Sequence, residues 1–357
     1  MKQRRFLKGF LSFLVSVVAV FSATAAVLYS LPSISAYAGQ LALFSAVQTL
    51  QGDPSVLLPR EAQGAADPVI PEQQASSEPQ QQTDTEQEEE EPYVEEVIGS
   101  DVLEQSLAVS AESGKDYSIG VGFLRNYSSL SKEEILAAIQ ADPPFHTTDT
   151  REPQVLIIHT HTTESYYGSS ENFRSTDKTQ NMVAVGDEIV KELEKKGIGV
   201  IHDTEFYDYP SYNGGYARSA ESIKKYLAEY PSIKIVLDVH RDALGSDSSK
   251  TAPTAVIDGK KVAQIMVVSN CNNPEKNNLP NFKQNLNIAA RLQNALEEVA
   301  PGITRPVLFS YRDYNQGLAP GVLLAEVGGH ANTLQQARWA GKYLGRALAQ
   351  VVLDLQE

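Results

Sequence analysis

Cysteine and basic residues are scarce in this chain, and both shortages exclude whole classes of protein. The 357 residues include one cysteine, Cys271, so no disulfide can form within the chain. The residues flanking Cys271 supply no base, so we expect a small buried hydrophobe rather than a nucleophile. The formal net charge is -15, which argues against a nucleic-acid partner because phosphate binding needs a basic surface.

Charged residues are missing altogether from residues 10–31, a run about as long as the roughly 20 residues that span a bilayer. The nine residues before this run include four bases and no acid. We therefore predict a cytoplasmic N-terminus at 1–9, a single transmembrane helix at 10–31 and an extracytoplasmic remainder at the cell membrane. The alternative is a cleaved signal peptide, since Ala36-Tyr37-Ala38 has the form of a cleavage site. Its apolar core would be longer than usual.

Acidic residues are concentrated in one segment. Residues 51–100 hold thirteen acids and one base, a net charge of -12, which leaves a net of only -3 elsewhere. This segment is also rich in Pro, Gln, Ser and Ala, a composition that cannot bury enough apolar surface to offset the entropy of ordering. We predict that residues 32–100 are a disordered acidic linker.

Residues 101–357 alternate short apolar runs with amphipathic ones, which predicts a single α/β domain with a mostly parallel sheet flanked by helices. Predicted strands lie at 117–124, 155–158, 233–239, 261–269 and 321–327, and another begins at residue 200. Predicted helices follow the capping box at 131–134 and lie at 181–196, 219–230, 282–299 and 333–355.

Four of the six histidines lie in three short segments, each at the predicted carboxyl end of a strand. The segments are HTHTTES at 159–165, DVHRD at 238–242 and EVGGHAN at 326–332. Functional sites of α/β sheets form at this edge. Two histidines and one glutamate are a known ligand set for catalytic zinc, and a spacing of three lets one turn present both His161 and Glu164. The predicted ligands of Zn²⁺ are therefore His161, Glu164 and His240.

Two positions leave alternatives open. His159 shares a strand face with His161 and competes with it as the ligand, although His161 lies closer to the strand end. Asp177 competes with Glu164 as the oxygen ligand. Glu326 lies in an apolar strand, where a carboxylate has little structural reason to be, so we predict that it is the catalytic proton carrier. Arg241 is predicted to hold a substrate carboxylate or to polarise a carbonyl.

These segments, together with DYPSY at 208–212 and YARS at 216–219, closely resemble the stage II sporulation protein P family of endospore-forming bacteria. The resemblance covers about residues 115–357. More distantly, the layout is similar to the zinc-dependent N-acetylmuramoyl-L-alanine amidases. That similarity aligns His161 and His240 with two metal ligands, Glu326 with the catalytic glutamate and Asn332 with a closing asparagine. The amidases carry their middle ligand further along the chain, which is where Asp177 lies.

The resemblance implies a peptidoglycan hydrolase that cleaves the amide bond between muramic acid and L-alanine, and also peptide cross-links, during engulfment in sporulation. It implies action beside stage II sporulation proteins D and M. Two rival functions stay open: a zinc endopeptidase or carboxypeptidase on wall peptides, and a catalytically silent wall-binding module. The cleaved bond, the role in engulfment and the two partner proteins follow from the resemblance alone, because composition and spacing do not indicate them.

Overall fold

The computed structural model describes residues 95–148 and 152–356. Within these residues, no helix is both long enough and apolar enough to cross a bilayer. The predicted anchor at 10–31 and the predicted linker up to residue 94 lie outside the described residues. The anchor and the disordered linker therefore stay predictions.

Twelve strands and five helices form in the described part of the chain. The strands are β1 (Val102–Gln105), β2 (Asp116–Ser118), β3 (Phe123–Asn126), β4 (Pro153–Ile158), β5 (Gly199–His202), β6 (Ile235–Asp242), β7 (Gly245–Ser246), β8 (Ser249–Ile257), β9 (Lys260–Ala263), β10 (Ile265–Asn270), β11 (Val307–Ser310) and β12 (Val322–Gly329). The helices are α1 (Lys132–Ile139), α2 (Met182–Lys195), α3 (Gly215–Glu229), α4 (Phe282–Val299) and α5 (Leu334–Asp354).

Eight strands form the main sheet in the order β2-β3-β11-β10-β12-β6-β4-β5. Five of its seven pairings are parallel, and only β2 with β3 and β10 with β12 run antiparallel. The predicted α/β class with a mostly parallel sheet is therefore confirmed. The chain passes from β4 outward to β5 and then crosses to β6 on the other side of β4. That reversal is a topological switch point, where a crevice opens at the carboxyl ends of the strands.

Helices cover both faces of the main sheet. On one face, α2, α4 and α5 bury their apolar stripes against the odd-numbered residues of β4, β6 and β12 in the larger core. On the other face, Ile223 of α3 packs against Leu156, Ile158 and Val236 in a smaller core. Strand residues alternate between faces, so this second face is the one on which His240 and Glu326 lie.

Three of the predicted helices begin at a residue whose side chain caps the first turn. Ser131 and Thr333 each form a capping box, with Glu134 and Gln336 respectively. Asn181 accepts a hydrogen bond from the Val183 N–H at the start of α2. Each cap satisfies backbone N–H groups that a helix leaves unpaired in its first turn.

Two strand predictions are wrong in detail. The strand predicted at 117–124 is two strands, β2 and β3, joined as an antiparallel hairpin in which Tyr117 pairs with Leu124. The strand predicted at 261–269 breaks at Gln264, whose backbone N–H donates to the Pro253 carbonyl of β8 while its own carbonyl accepts from the Gly328 N–H of β12. Its buried side-chain amide bonds the Leu107 N–H and the Gly302 carbonyl. That break lets β9 pair with β8 in a smaller sheet while β10 joins the main sheet.

The end of the predicted linker contacts the domain. Glu95 lies 2.7 Å from Lys261 Nζ, and the Gly99 N–H donates to the Tyr167 hydroxyl. Shortly after, β1 pairs in parallel with β8 of the smaller sheet. The predicted domain boundary at residue 101 therefore falls within a segment that already packs on the folded part.

Candidate metal centre and active site

The candidate site lies at the switch point of the sheet, where three neighbouring parallel strands end. A tight turn follows β4 and carries His161 and Glu164, while His240 lies near the end of β6. Glu326 of β12 pairs with His240 in register. Residues paired in this way on adjacent strands point their side chains to the same face. The local sequence thus brings all four side chains to one crevice.

Two imidazoles and one carboxylate converge in this crevice. Glu164 Oε1 lies 3.5 Å from His161 Nδ1, and Glu164 Oε2 lies 3.5 Å from His240 Nδ1. One ligand atom from each residue can be chosen so that all lie within 4.8 Å of one another. Ligand atoms about 2 Å from a tetrahedral ion lie about 3.3 Å apart. The two Glu164–histidine distances match this spacing, whereas the widest pair would have to draw closer around a bound ion. The donor set fits zinc in its chemistry.

Glu164 is buried, and its surroundings keep it charged. Burial alone would raise the pKa of Glu164, but the two imidazoles and Arg241 outweigh it and hold the pKa well below its usual range. Glu164 also accepts a hydrogen bond from the Arg241 backbone N–H at 3.3 Å. An ionised carboxylate is the form that a metal ion requires of its oxygen ligand.

A second carboxylate supports His240 from behind. Asp238, two residues earlier on β6, places Oδ1 2.9 Å from His240 Nε2. Asp238 is itself fixed by the Thr160 N–H at 2.8 Å and by the Thr160 hydroxyl at 2.6 Å. Metal-binding histidines usually turn their second nitrogen towards such a carboxylate, which fixes the ring and raises its basicity. Our sequence analysis gave Asp238 no role, although its spacing of two from His240 on a strand placed it on the same face.

Glu326 is available for proton transfer. Burial raises the pKa of Glu326 to about 8, with Asp242 and Glu164 adding to the rise and His240 opposing it. Its Oε2 is buried and has no hydrogen-bond partner among the described residues. A carboxyl group with a pKa near neutrality, facing the candidate ligands, has the properties of a general acid–base group.

Arg241 lies beside the candidate ligands, but its guanidinium is committed to the protein. Its side chain is 8% exposed. Nε donates to the Ser165 carbonyl at 3.1 Å, and Nη2 donates to the Phe173 carbonyl at 3.0 Å. These bonds hold the segment that follows Glu164, so the geometry supports a positioning role rather than the predicted contact with substrate.

The structure separates the two alternate ligands from the group. His159 is fully buried, with Nδ1 3.0 Å from the Val239 carbonyl oxygen and Nε2 2.9 Å from His202 Nε2. Burial and the neighbouring His202 lower the pKa of His159 to about 3. Asp177 is exposed and accepts hydrogen bonds from the Thr179 N–H and hydroxyl. Neither residue belongs to the group that could hold one metal ion.

Asn332 stabilises the turn that follows β12. It is fully buried, accepts a hydrogen bond from the Gly329 N–H at 2.8 Å and donates to Gln336 Oε1 at 2.8 Å. These bonds fix the turn between β12 and α5. His330 lies nearby, with its ring centroid 4.8 Å from that of Phe173.

Tyrosines border the crevice. The Tyr212 ring stacks on His161 with centroids 4.6 Å apart, and the Tyr216 ring lies 5.4 Å from His161 and 6.2 Å from His240. Tyr207 is instead buried and donates to Asp203 at 2.6 Å. The sequence left open whether these tyrosines belong to the core or to a groove, and both environments occur.

Cys271 is 2% exposed, and burial raises the pKa of its thiol. It lies in the larger core at the end of β10. The expectation of a buried hydrophobe is confirmed.

The fold and the site together define an α/β protein with a candidate divalent-metal centre at the switch point of its sheet. Comparison with known sequences gives the family. The family model of stage II sporulation protein P matches residues 34–349, and the chain belongs to this family. The resemblance noted in the sequence motifs is thereby confirmed.

One curated relative and two solved structures illustrate the comparison. Stage II sporulation protein P of Bacillus subtilis (strain 168) is 30% identical over 248 residues, which are 65% of this chain and 59% of that protein. The chain thus matches less than two thirds of its relative's length. The CwlD amidase from Clostridioides difficile, solved with the GerS lipoprotein, is 9% identical and covers 57% of this chain and 98% of its own, with a TM-score of 0.37. The Ami1 amidase from Mycobacterium abscessus is 16% identical and covers 58% and 99%, with a TM-score of 0.34.

Proposed function

We propose that this protein is a zinc-dependent peptidoglycan hydrolase that cleaves the amide bond between N-acetylmuramic acid and L-alanine. The observation that carries the proposal is the convergence of His161, Glu164 and His240 within 4.8 Å beside the unpartnered carboxyl of Glu326. Membership of the stage II sporulation protein P family supports the choice of a cell-wall substrate.

The two histidines and Glu164 would hold zinc with three protein ligands, the number that leaves one position open in catalytic sites. Bound zinc lowers the pKa of water to about 7 and polarises a carbonyl group. The Asp238 carboxylate, 2.9 Å from His240 Nε2, would attract that edge of the ring and so keep Nδ1 turned to the centre. Arg241 fixes the segment after Glu164 through the Ser165 and Phe173 carbonyls.

Glu326 would carry the proton. Its Oε2 accepts the proton of the attacking water and delivers it to the amide nitrogen, so that the amine leaves uncharged. Burial beside β6 places this group where it exchanges protons near neutral pH. Amide hydrolysis then yields a free lactyl carboxyl on the sugar and a free amine on L-alanine.

The uncharged run at 10–31 supports a proposal about location, and family membership supports one about partners. The enzyme would be held at the cell membrane by residues 10–31, with its folded part outside the cytoplasm, and it would act beside stage II sporulation proteins D and M during engulfment. Co-purification of those two proteins with the full chain from sporulating cells tests the partnership. Their absence from a preparation that retains the membrane would contradict it.

Mass spectrometry of wall fragments tests the reaction. Full-length protein purified in detergent and loaded with zinc should release stem peptides with a free L-alanine amine from purified walls. Chelator should abolish the release, and added zinc should restore it. Peptides cut within cross-links while still attached to muramic acid would identify an endopeptidase instead. No released fragment with stoichiometric zinc bound would indicate a silent wall-binding module.

A further inference from the structure

The Tyr314–Asn315 turn, which lies between β11 and β12, has an unusual backbone. Both φ angles are positive, 51° at Tyr314 and 60° at Asn315. Asparagine tolerates this left-handed region, but a bulky aromatic residue rarely adopts it. The surrounding structure must therefore hold Tyr314 in a conformation that it would not adopt alone, and residues held in this way cluster at functional sites.

One end of the Tyr314–Asn315 turn is anchored to the main sheet by the residue that follows it. Gln316 is fully buried, and its Oε1 accepts a hydrogen bond from the Asn270 N–H at 2.8 Å. Its Nε2 donates to the Val268 carbonyl at 2.9 Å. Both partners belong to β10, so the turn keeps a set position relative to that strand.

Stacked rings connect Tyr314 with the candidate ligand His240. The Tyr314 ring stacks on the Tyr216 ring, with centroids 5.4 Å apart and 29° between the planes. The Tyr216 ring in turn lies nearly parallel to the His240 ring, with 7° between the planes and centroids 6.2 Å apart. Rings at these distances restrict one another's tilt, so the place of Tyr314 limits the orientation of the His240 ring.

A buried chain of hydrogen bonds connects Asn315 with the carboxylate beside His240. Asn315 Nδ2 lies 3.0 Å from Ser219 Oγ, which lies 2.7 Å from Thr160 Oγ1. Thr160 Oγ1 lies 2.6 Å from Asp238 Oδ2. The three inner members of the chain, Ser219, Thr160 and Asp238, are buried, so each polar atom depends on its neighbour in the chain for a partner.

The direction of donation along this chain is fixed by its chemistry. A carboxylate only accepts, so the Thr160 hydroxyl donates its single hydrogen to Asp238 and must accept from Ser219. The Ser219 hydroxyl then donates to Thr160, which is closer than the Tyr216 carbonyl at 3.3 Å, and accepts from Asn315. Asn315 Nδ2 also lies 3.0 Å from that carbonyl, which can only accept. Asn315 is therefore the first donor of the chain.

We propose that the Tyr314–Asn315 turn positions His240 for metal binding. Asn315 acts through the hydrogen-bond chain on Asp238, and Tyr314 acts through Tyr216 on the face of the His240 ring. Both are positioning residues, because neither contacts the candidate centre itself. The inference rests on the proposed function, since it assigns residues to the same metal centre.

Metal binding tests the turn apart from catalysis. The probes are Zn²⁺, in competition with a chromogenic chelator, and Co²⁺, whose visible spectrum reports ligand geometry, each with the full-length protein in detergent. Asn315→Gly keeps the left-handed backbone but removes the amide. Zinc affinity should fall about threefold to tenfold, as expected for one lost hydrogen bond, and the cobalt spectrum should change.

Two further variants probe each residue by its chemistry. Asn315→Asp also tolerates the left-handed backbone but offers only acceptors, so it should lower zinc affinity at least as much as Asn315→Gly. Tyr314→Phe keeps the ring that stacks on Tyr216 and should bind zinc like the parent. Tyr314→Ala removes that ring and should weaken binding about threefold to tenfold.

Two controls separate positioning from a general loss of stability. Gly345→Ala overpacks α5 on the opposite face of the sheet, where a Cβ would lie 2.7 Å from the Ile189 carbonyl oxygen. It should leave zinc affinity and the cobalt spectrum unchanged. In the Asp238→Asn background, Asn315→Gly should lower zinc affinity by less than about twofold more, because the chain through which it acts ends at Asp238.

The positioning role is refuted if both Asn315 variants keep the zinc affinity and cobalt spectrum of the parent. It is also refuted if Gly345→Ala lowers the affinity equally, or if the effect of Asn315→Gly persists in full beside Asp238→Asn. If zinc binding depends on the turn while the wild-type protein releases nothing from walls, the hydrolase proposal fails and the positioning role stands. If walls are cleaved and the variants bind zinc normally, the positioning role alone fails. A parent that binds neither metal would overturn both.

Discussion

His240 lies between two carboxylates, and their negative charges raise the pKa of its ring. Glu164 approaches Nδ1 at 3.5 Å and Asp238 approaches Nε2 at 2.9 Å. Burial alone would lower the pKa of His240, but the two acids outweigh it and raise the pKa well above the usual value. In the metal-free chain the ring thus holds a proton that a metal ion at Nδ1 would displace.

Substitution of Asp238 tests its supporting role. Asp238→Asn keeps the shape but removes the charge that orients His240, so zinc affinity should fall about 10- to 100-fold. Competition with a chromogenic chelator measures this affinity. The matched control is Asp177→Asn, at an exposed acid whose bonds go to Thr179. An affinity unchanged in the first variant, or reduced equally in the second, would contradict the assignment.

Substitution of Glu326 separates proton transfer from metal binding. Glu326→Gln cannot carry a proton, so the rate of wall cleavage should fall about 10²- to 10⁴-fold. Zinc content and the unfolding midpoint should match those of the parent, since Oε2 of Glu326 bonds no other described residue. Release of labelled stem peptides measures the rate. Activity within about twofold of wild type would rule out Glu326 as the proton carrier.

The sequence predicted only those parts of the site that depend on the spacing of nearby residues. His161, Glu164 and His240 follow from strand ends and a three-residue spacing, and the structure brings them together. The commitment of Arg241 to two loop carbonyls could not be foreseen, because it depends on residues 165 and 173 folding back over β6. The sequence favoured His161 over His159 because His161 lies closer to the strand end, and in the structure His159 instead pairs with His202.

At the scale of elements, α2 and α5 approach closely because α5 lacks side chains at two positions. A Cβ on Gly341 would lie 2.8 Å from the Val185 carbonyl oxygen, and one on Gly345 would lie 2.7 Å from that of Ile189. Both contacts are with backbone, which yields little. The four-residue spacing on both helices puts them in line along one interface.

Gly345→Ala therefore has opposing effects. Alanine favours a helix over glycine by about 1 kcal/mol, but the added methyl overpacks the interface, which costs about 1–3 kcal/mol. We expect a net loss of unfolding free energy, measured by urea denaturation. Leu353→Ala, at a side chain 39% exposed on the same helix, should change stability less. A variant more stable than the parent would show that the helices separate at no cost.

Helices were more predictable than strands for a physical reason. The boundaries of α4 at Phe282–Val299 follow from its amphipathic period, which is a local property. The break between β9 and β10 depends on Gln264, whose partners Leu107 and Gly302 are distant in sequence. The smaller sheet was missed because β8, its central strand, pairs with β1, which lies more than 140 residues earlier in the chain, and no local pattern specifies such a partner.

At the scale of the whole molecule, the topology of the main sheet brings residues that are distant in sequence together at one site. The turn after β4 supplies two candidate ligands, His161 and Glu164, and β6 supplies the third, His240. They meet because β6 pairs with β4 after the chain crosses back from β5. β12 then lies in parallel beside β6 and adds Glu326 in register with His240. Segments more than 150 residues apart in the chain, such as those of Glu164 and Glu326, thereby lie at one candidate site.

The central claim is that one divalent ion is held by His161, Glu164 and His240. X-ray absorption at the zinc edge of the loaded full-length protein tests it most directly. We predict one zinc per chain with two nitrogen ligands at about 2.0–2.1 Å and carboxylate oxygen at about 2.0–2.2 Å. His240→Ala should remove one nitrogen from that shell. A shell with sulfur, or one that is unchanged in His240→Ala, would contradict the account.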